Sequence, residues 1–545
     1  MVKRCLAVIA AAVLLSIAGT KGQRSPHEEV FATSDRCMAC HNGLRTPSGE
    51  DVSIGASWRA SMMANSSRDP YWQAGVRREV LDHPKAAQEI QDGCATCHMP
   101  MSRTEARLNG SHGRVFAHLP VTREGDRVDR LAHDGVACSM CHQITDQNLG
   151  TPASFTGGYV VSPLTKGRSP AAPRQERPMF GPFKIEQGMT TIMRSATGFQ
   201  PTEASHIRQS EICGTCHTLV TRAIGPNGEV TGELPEQMPF PEWKHSAFAA
   251  EQRSCQSCHM PVVDEDTPIA SVLGAPRKGL ARHTFVGGNF FVQQMLNRYR
   301  GDLGVIATAS DLEAALKTTV DNLRRSTAEL SIEHTERSGA RLIADIHVRN
   351  LTGHKLPTGY PSRRAWLHVT VHDRAGRVVF ESGAIAPNGA ISGNDNDADG
   401  VAVEPHYTEI RTRDQVQIYE SVMADPAGRP TTGLLTGVRY LKDNRLVPRG
   451  FEKSTADPWV AVVGTALHDA DFGDAGDRVR YVVDVNQADG PFQVDAELRF
   501  QVIGFRWADN LRSYKAEETT RFVGYYDSMA SSSSELLAAA RHIVN

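Results

Sequence analysis

The chain lacks an excess of charge of either sign. Among 545 residues, 59 Lys and Arg stand against 62 Asp and Glu, for a formal charge of -3 and an isoelectric point near 6.7. That balance builds no basic surface, so nucleic acid is not an expected partner. An apolar stretch long enough to span a bilayer is also missing. The run from Leu6 to Ala18, broken only by Ser16, falls short of the roughly 18 residues a span needs. Lys3 and Arg4 precede it, and Ser16-Ile17-Ala18 offers small residues for cleavage. Residues 1–18 therefore read as a signal peptide, and the mature chain is expected in a periplasm, at an outer membrane or outside the cell. Cys5 lies ahead of the apolar run, the wrong side for a lipoprotein cysteine.

No cysteine follows Cys258. The ten between Cys37 and Cys258 form one repeated pattern: Cys37-x-x-Cys40-His41, Cys94-x-x-Cys97-His98, Cys138-x-x-Cys141-His142, Cys213-x-x-Cys216-His217 and Cys255-x-x-Cys258-His259. C-x-x-C-H is the attachment pattern of c-type haem. Two thiols three positions apart reach the two vinyl groups on one edge of a porphyrin, and the following histidine supplies the proximal nitrogen to iron. Structural zinc would pair the C-x-x-C units, leaving an odd one over and every adjacent histidine unexplained. Disulfides suit an exported chain but give no reason for five histidines at one spacing. Five covalent haem c groups are expected, bound through those ten cysteines, with His41, His98, His142, His217 and His259 as proximal ligands.

Whether such a chain only carries electrons or also catalyses depends on the second axial ligand of each iron. His133, His206 and His245 precede attachment sites by five, seven and ten residues, and each is placed to serve a neighbouring haem rather than its own. His283 follows the last site in a Gly-Gly-containing stretch, where backbone can approach a flat macrocycle closely. His112 and His118 compete for one local role, and His27 and His83 read as ordinary polar histidines.

The Gly135-Val136 step before Cys138, the Trp243-x-x-Ser246 segment before Cys255, and Cys-His-Met-Pro at 97–100 and 258–261 accompany these sites. On these features residues 30–290 resemble the cytochrome c554-type multihaem family. In that family a Trp-x-x-Ser-x-His-Ala segment after the first site supplies a distal histidine. The resemblance therefore implies a ligand role for Met63 in Trp58-x-x-Ser61-Met62-Met63-Ala64, with Met62 as the fallback.

The fold expected is multidomain. A pentahaem domain with little regular structure and some helices spans 24–300, with an irregular excursion at 150–200 that could cover a haem. A helical connector (301–330) starts from a Ser310 or Asp311 cap. An antiparallel β-sandwich (331–525) is read from alternating runs such as Arg341–Val348 and Phe492–Ile503, and a C-terminal helix occupies 526–545. In the C-terminal part, the Gly353-His354-Lys-Leu-Pro-Thr-Gly359 loop and the Tyr440–Arg445 stretch are similar to those of large bacterial multihaem cytochromes. His354 is a further candidate distal ligand, docking the sandwich onto the haem domain. Asp395-x-Asp397-x-Asp399-Gly400 begins like a Ca²⁺ loop but carries His406 where an EF-hand has glutamate, so a lone Ca²⁺ site is the most it could form. The function expected is electron transfer between a quinol-linked membrane donor and another redox protein, with a reductase or oxidase of a small nitrogen or sulfur compound, or a wiring subunit of a larger complex, as alternatives.

Overall fold

A C-x-x-C-H pattern puts its cysteines and histidine at i, i+3 and i+4, which share one face of a helix. Each of the five motifs in the computed structural model accordingly lies in or at the end of a helical segment: Ser34–Met38, Ala87–His98, Cys138–Cys141, Ser210–Gly214 and Cys255–His259. The structure describes residues 29–122, 124–162, 165–166, 175–185 and 187–545. The expected signal peptide and His27 lie outside these residues. Among the described residues no helix is long and apolar enough to cross a membrane.

The haem half is more helical than expected. Its two longest elements, Pro70–Asp82 and Ala87–His98, form a helical hairpin around His83. Asp69 starts the first of them by accepting from the Tyr71 and Trp72 amides, with Pro70 in the first turn. The irregular excursion expected at 150–200 is partly ordered into a β-α-β unit. Strand Gln175–Gly181 runs parallel to Phe199–Glu203, joined by helix Gln187–Thr197. Its strand reaches a motif directly, since the Phe180 amide donates to the His142 carbonyl at 2.7 Å.

Helices Phe290–Arg298 and Ala309–Ser326 make the connector. The second is capped two or three residues earlier than read from sequence, at Thr308, whose hydroxyl and the Asp311 carboxylate form a reciprocal capping box.

Two sheets follow. One runs Val378–Ser382, Arg364–His372, Phe492–Gln501, Ser534–Val544, with Ile418–Tyr419 also on Arg364–His372; the other runs Glu409–Ile410, Gly476–Asp484, Arg341–Asn350, Ala328–Ser338. Pairing is antiparallel except between Glu409–Ile410 and Gly476–Asp484. Alternate residues point inward and share one apolar core: Leu342, Ala344, Ile346 and Val348 from one sheet, Ala365, Leu367, Val369 and Val371 from the other. The expected C-terminal helix is instead strand Ser534–Val544, hydrogen-bonded along Phe492–Gln501. Leu-Leu-Ala-Ala-Ala favours helix locally, but the open edge of Phe492–Gln501 gives one side of its backbone a ladder of partners along its length. The helix in this region is Glu517–Met529, and it packs on Pro70–Asp82 of the haem half through Arg77 and Glu518, 2.8 Å apart.

Candidate functional site

Four of the five motif histidines are oriented the same way. Nδ1 bonds a backbone carbonyl: His41 to Ile269 at 2.6 Å, His98 to Ser66 at 3.0 Å, His142 to Phe180 at 2.6 Å, and His259 to Val286. Such a bond fixes the tautomer with Nδ1 protonated and leaves Nε2 as a lone-pair donor, the arrangement metal-bound histidines use. Burial keeps two of these rings in the neutral form: His98 falls to about 4, and His142 is also lowered. His217, although its surface is open, lies deep enough in the protein that desolvation takes it to about 4 as well, reinforced by His259, Arg363 and His354.

Two motif histidines face a second histidine. His142 and His283 have ring centres 6.3 Å apart and planes 20° from parallel; His259 and His354 stand 6.2 Å apart at 16°. Two imidazoles on opposite sides of one metal, with metal–nitrogen bonds of about 2.0 Å, would place their ring centres roughly 6 Å apart. In each distal ring Nδ1 again bonds a carbonyl, His283 to Ala281 at 3.0 Å and His354 to Lys355 at 2.9 Å, so Nε2 remains available. The residues present fit an iron held between these pairs.

The other candidates fare differently. His118 is half-buried with Nδ1 2.7 Å from Asp129, whereas His112 is exposed, so of these two the fold prepares His118. His133 and His206 are buried, and both use Nε2 to bond carbonyls, of His118 at 2.7 Å and Ile144 at 2.8 Å. His245 bonds the Pro241 carbonyl through Nδ1 and receives the Asp457 amide at Nε2. Met63 is half-buried in the turn that supplies Ser66 to His98; Met62 is half-buried as well and packs on the main apolar core. His83, read as ordinary, is 8% exposed with neither ring nitrogen hydrogen-bonded. The Trp72 indole lies on the His98 ring at 4.3 Å and 4°, a contact no sequence spacing signals.

Thiols of different motifs meet. The free thiol of Cys37 lies beside that of Cys138, Cys97 beside Cys216, and Cys213 beside Cys255. The first and third sites therefore adjoin, as do the second, fourth and fifth. Cys141 of the third site lies near enough to Cys213 and Cys216 to raise both, which brings the two groups together.

His354 belongs to the β domain and His259 to the haem half, so the space between them depends on how the two are joined. Asn350 holds the loop by donating to the carbonyls of His354 at 2.8 Å and Leu446 at 3.0 Å. Gly353 lets it lie against Phe248, where a Cβ would come within 3.1 Å of the ring. Beyond it is a buried charge network. Lys355 Nζ donates to Asp443 at 2.8 Å, Arg445 grips the same carboxylate at 2.9 and 2.7 Å, and Arg445 Nη1 lies 2.9 Å from Glu242 of the haem half. Glu242 in turn accepts the Lys355 amide at 3.1 Å, and Tyr440 donates to the Pro235 carbonyl at 2.9 Å. The Tyr440–Arg445 stretch is thus a docking element.

The suggested Ca²⁺ loop is not assembled. Residues 395–399 form a short helix in which Asp397 binds both arms of Arg364 at 2.8 Å, and Asp399 caps the Val401 and Ala402 amides. His406, Asp469 and Asp477 do cluster in the interior. Gln417 and Asn444 are each fixed by a backbone amide on their oxygen, so their NH₂ groups face His406 Nδ1. Nδ1 therefore accepts, and Nε2 carries the proton to Asp469 at 2.9 Å, which leaves His406 no lone pair for a cation.

No protein-family model matches the chain, and no curated protein matches it. Among solved structures, the chain is similar to a penta-heme cytochrome c552 from Thermochromatium tepidum, at 17% identity and a TM-score of 0.49, over 94% of this chain and 99% of that one.

Proposed function

We infer that the chain is an exported pentahaem c-type cytochrome that carries electrons between a membrane-linked donor and another redox protein. The observation that carries this reading is the pair of facing imidazole couples, each containing one C-x-x-C-H histidine. Bound haem would supply iron that takes up and releases one electron at a time. The ten cysteines would hold the five groups, and His41, His98, His142, His217 and His259 would ligate them. His283 and His354 would complete the sites of His142 and His259, with His118 and Met63 as the next candidates. The Nδ1–carbonyl bonds hold each ring to one tautomer and one orientation, which limits rearrangement when charge changes. Adjoining motifs keep the sites close to one another. The two-sheet domain, read as a sandwich, supplies His354 and a broad surface on which a partner can dock.

Pyridine haemochrome analysis of the exported protein is expected to give five haems per chain with mainly low-spin spectra. Two haems or fewer would refute the reading.

A second reading rests on His41, His98 and His217, none of which a histidine ring faces among the described residues. One iron there would be open to a small nitrogen or sulfur compound. High-spin signals by EPR together with turnover of nitrite or hydroxylamine would favour this catalyst over the carrier.

A further inference from the structure

Arg363 lies near the His217 and His354 rings and, among the described residues, forms no salt bridge. Its guanidinium makes a single hydrogen bond, from Nη1 to the Thr358 carbonyl at 2.8 Å. The adjacent Arg364 is matched arm for arm by Asp397, and Arg445 is matched by Asp443 and Glu242. The one carboxylate whose field favours the Arg363 charge is Asp69, which is committed to the Tyr71 and Trp72 amides. Burial lowers Arg363 to about 10.

The surroundings place this group. Gly359, at φ +86°, is so close that a Cβ there would lie 3.0 Å from Arg363 Nη1 and 4.0 Å from Gln237 Oε1. Gln237 pairs across a hairpin with Leu219, two residues beyond His217. Arg363 acts electrostatically on both His217 and His354, one from the fourth site and one facing the fifth. A half-buried guanidinium is costly without an anion, and its planar fork suits a carboxylate or similar oxyanion in two-point contact.

We propose that Arg363 is an anion receptor between the His217 and His354 sites, taking a carboxylate or small planar oxyanion on its Nε–Nη2 edge. This rests on the reading that the two histidines serve haem. The anion has two possible sources, a haem propionate or a diffusible oxyanion, with the same recognition chemistry.

The test uses the full haem-loaded protein, the variants Arg363→Met and Arg363→Lys, and formate as a redox-inert probe. A propionate partner is expected to leave wild-type spectra unchanged by formate, while Arg363→Met lowers the reduction potential of one haem. That direction follows because removing a cation favours the more positive oxidised iron. A diffusible partner is expected to give a saturable spectral change with formate in the wild type, weakened about tenfold or more in Arg363→Met. Arg363→Lys keeps the charge but not the fork, and is expected to restore the potential in the first case and only part of the affinity in the second. The proposal is overturned if both variants retain five haems, with every potential and the formate response as in the wild type. If Arg363→Met does not fold, Arg363→Gln, which also removes the charge, takes its place, and five haems with wild-type potentials and formate response in that variant overturn the proposal. A wild-type haem count below five would instead refute the underlying haem reading.

Discussion

His354→Ala is expected to convert one low-spin haem to high-spin and leave the other four unchanged. The ring stands 6.2 Å from that of His259, and its Nδ1 bond to the Lys355 carbonyl points Nε2 into the gap. No other histidine has a ring contact with His259 among the described residues, so no substitute ligand is at hand. His354→Met is expected to keep six-coordination and to raise the potential of that haem by on the order of 0.1 V, because a thioether favours ferrous iron relative to imidazole. EPR and potentiometry of the two variants check both results. The exposed His542 supplies a control substitution. Unchanged spin states in His354→Ala would remove the β domain from the coordination of haem.

Asp443→Ala is expected to cost about 3–5 kcal/mol of stability, the range for stranding one side of a buried ion pair. The carboxylate is 2% exposed between Lys355, at 0%, and Arg445, at 6%. Burial alone would push Asp443 up, but Arg445 and Lys355 outweigh it and hold the group at about 2. Lys355 shares that one carboxylate with Arg445, so burial wins on its side and its ammonium is lowered. Denaturant unfolding measures the loss, and a change under 1 kcal/mol would show that the network does not hold the domains. The double variant Asp443→Leu with Lys355→Met, which strands fewer charges, is expected to recover part of the stability.

The same group sets an acid limit. An unfolded aspartate titrates near 3.9, roughly two units above Asp443 in the folded chain. Between these values the unfolded chain binds more protons, so the stabilisation is complete above about pH 4 and is lost as pH falls towards 2. The contribution at stake is on the order of 2 kcal/mol. Thermal melting from pH 5 to pH 2 is expected to show it, and the Asp443→Ala variant should have a correspondingly flatter profile.

Local pattern was enough for the features that depend on chain neighbours. The C-x-x-C-H spacing placed each cysteine pair and its histidine on one helical face, and alternation marked Arg341–Asn350 and Phe492–Gln501 as strands. Glycines around His283 and His354 flagged both rings now seen facing motif histidines. Pattern failed where long-range partners decide. Ser534–Val544 has the composition of a helix and became a strand because the edge of Phe492–Gln501 was open to it. Nor could spacing show which ring nitrogen of His133 and His206 meets a carbonyl, since those carbonyls lie 15 and 62 residues away.

By itself the sequence determined the repeated unit: ten thiols and five histidines at one invariant spacing, in a chain with no charge excess to direct it elsewhere. Only the tertiary structure decided which imidazoles face one another and how the β domain reaches His259. Attachment needs groups three and four residues apart, whose geometry one helical turn supplies. Opposed rings and a shared buried carboxylate need segments such as 242, 354 and 443, distant in sequence, to converge, and only packing of the whole chain brings them together.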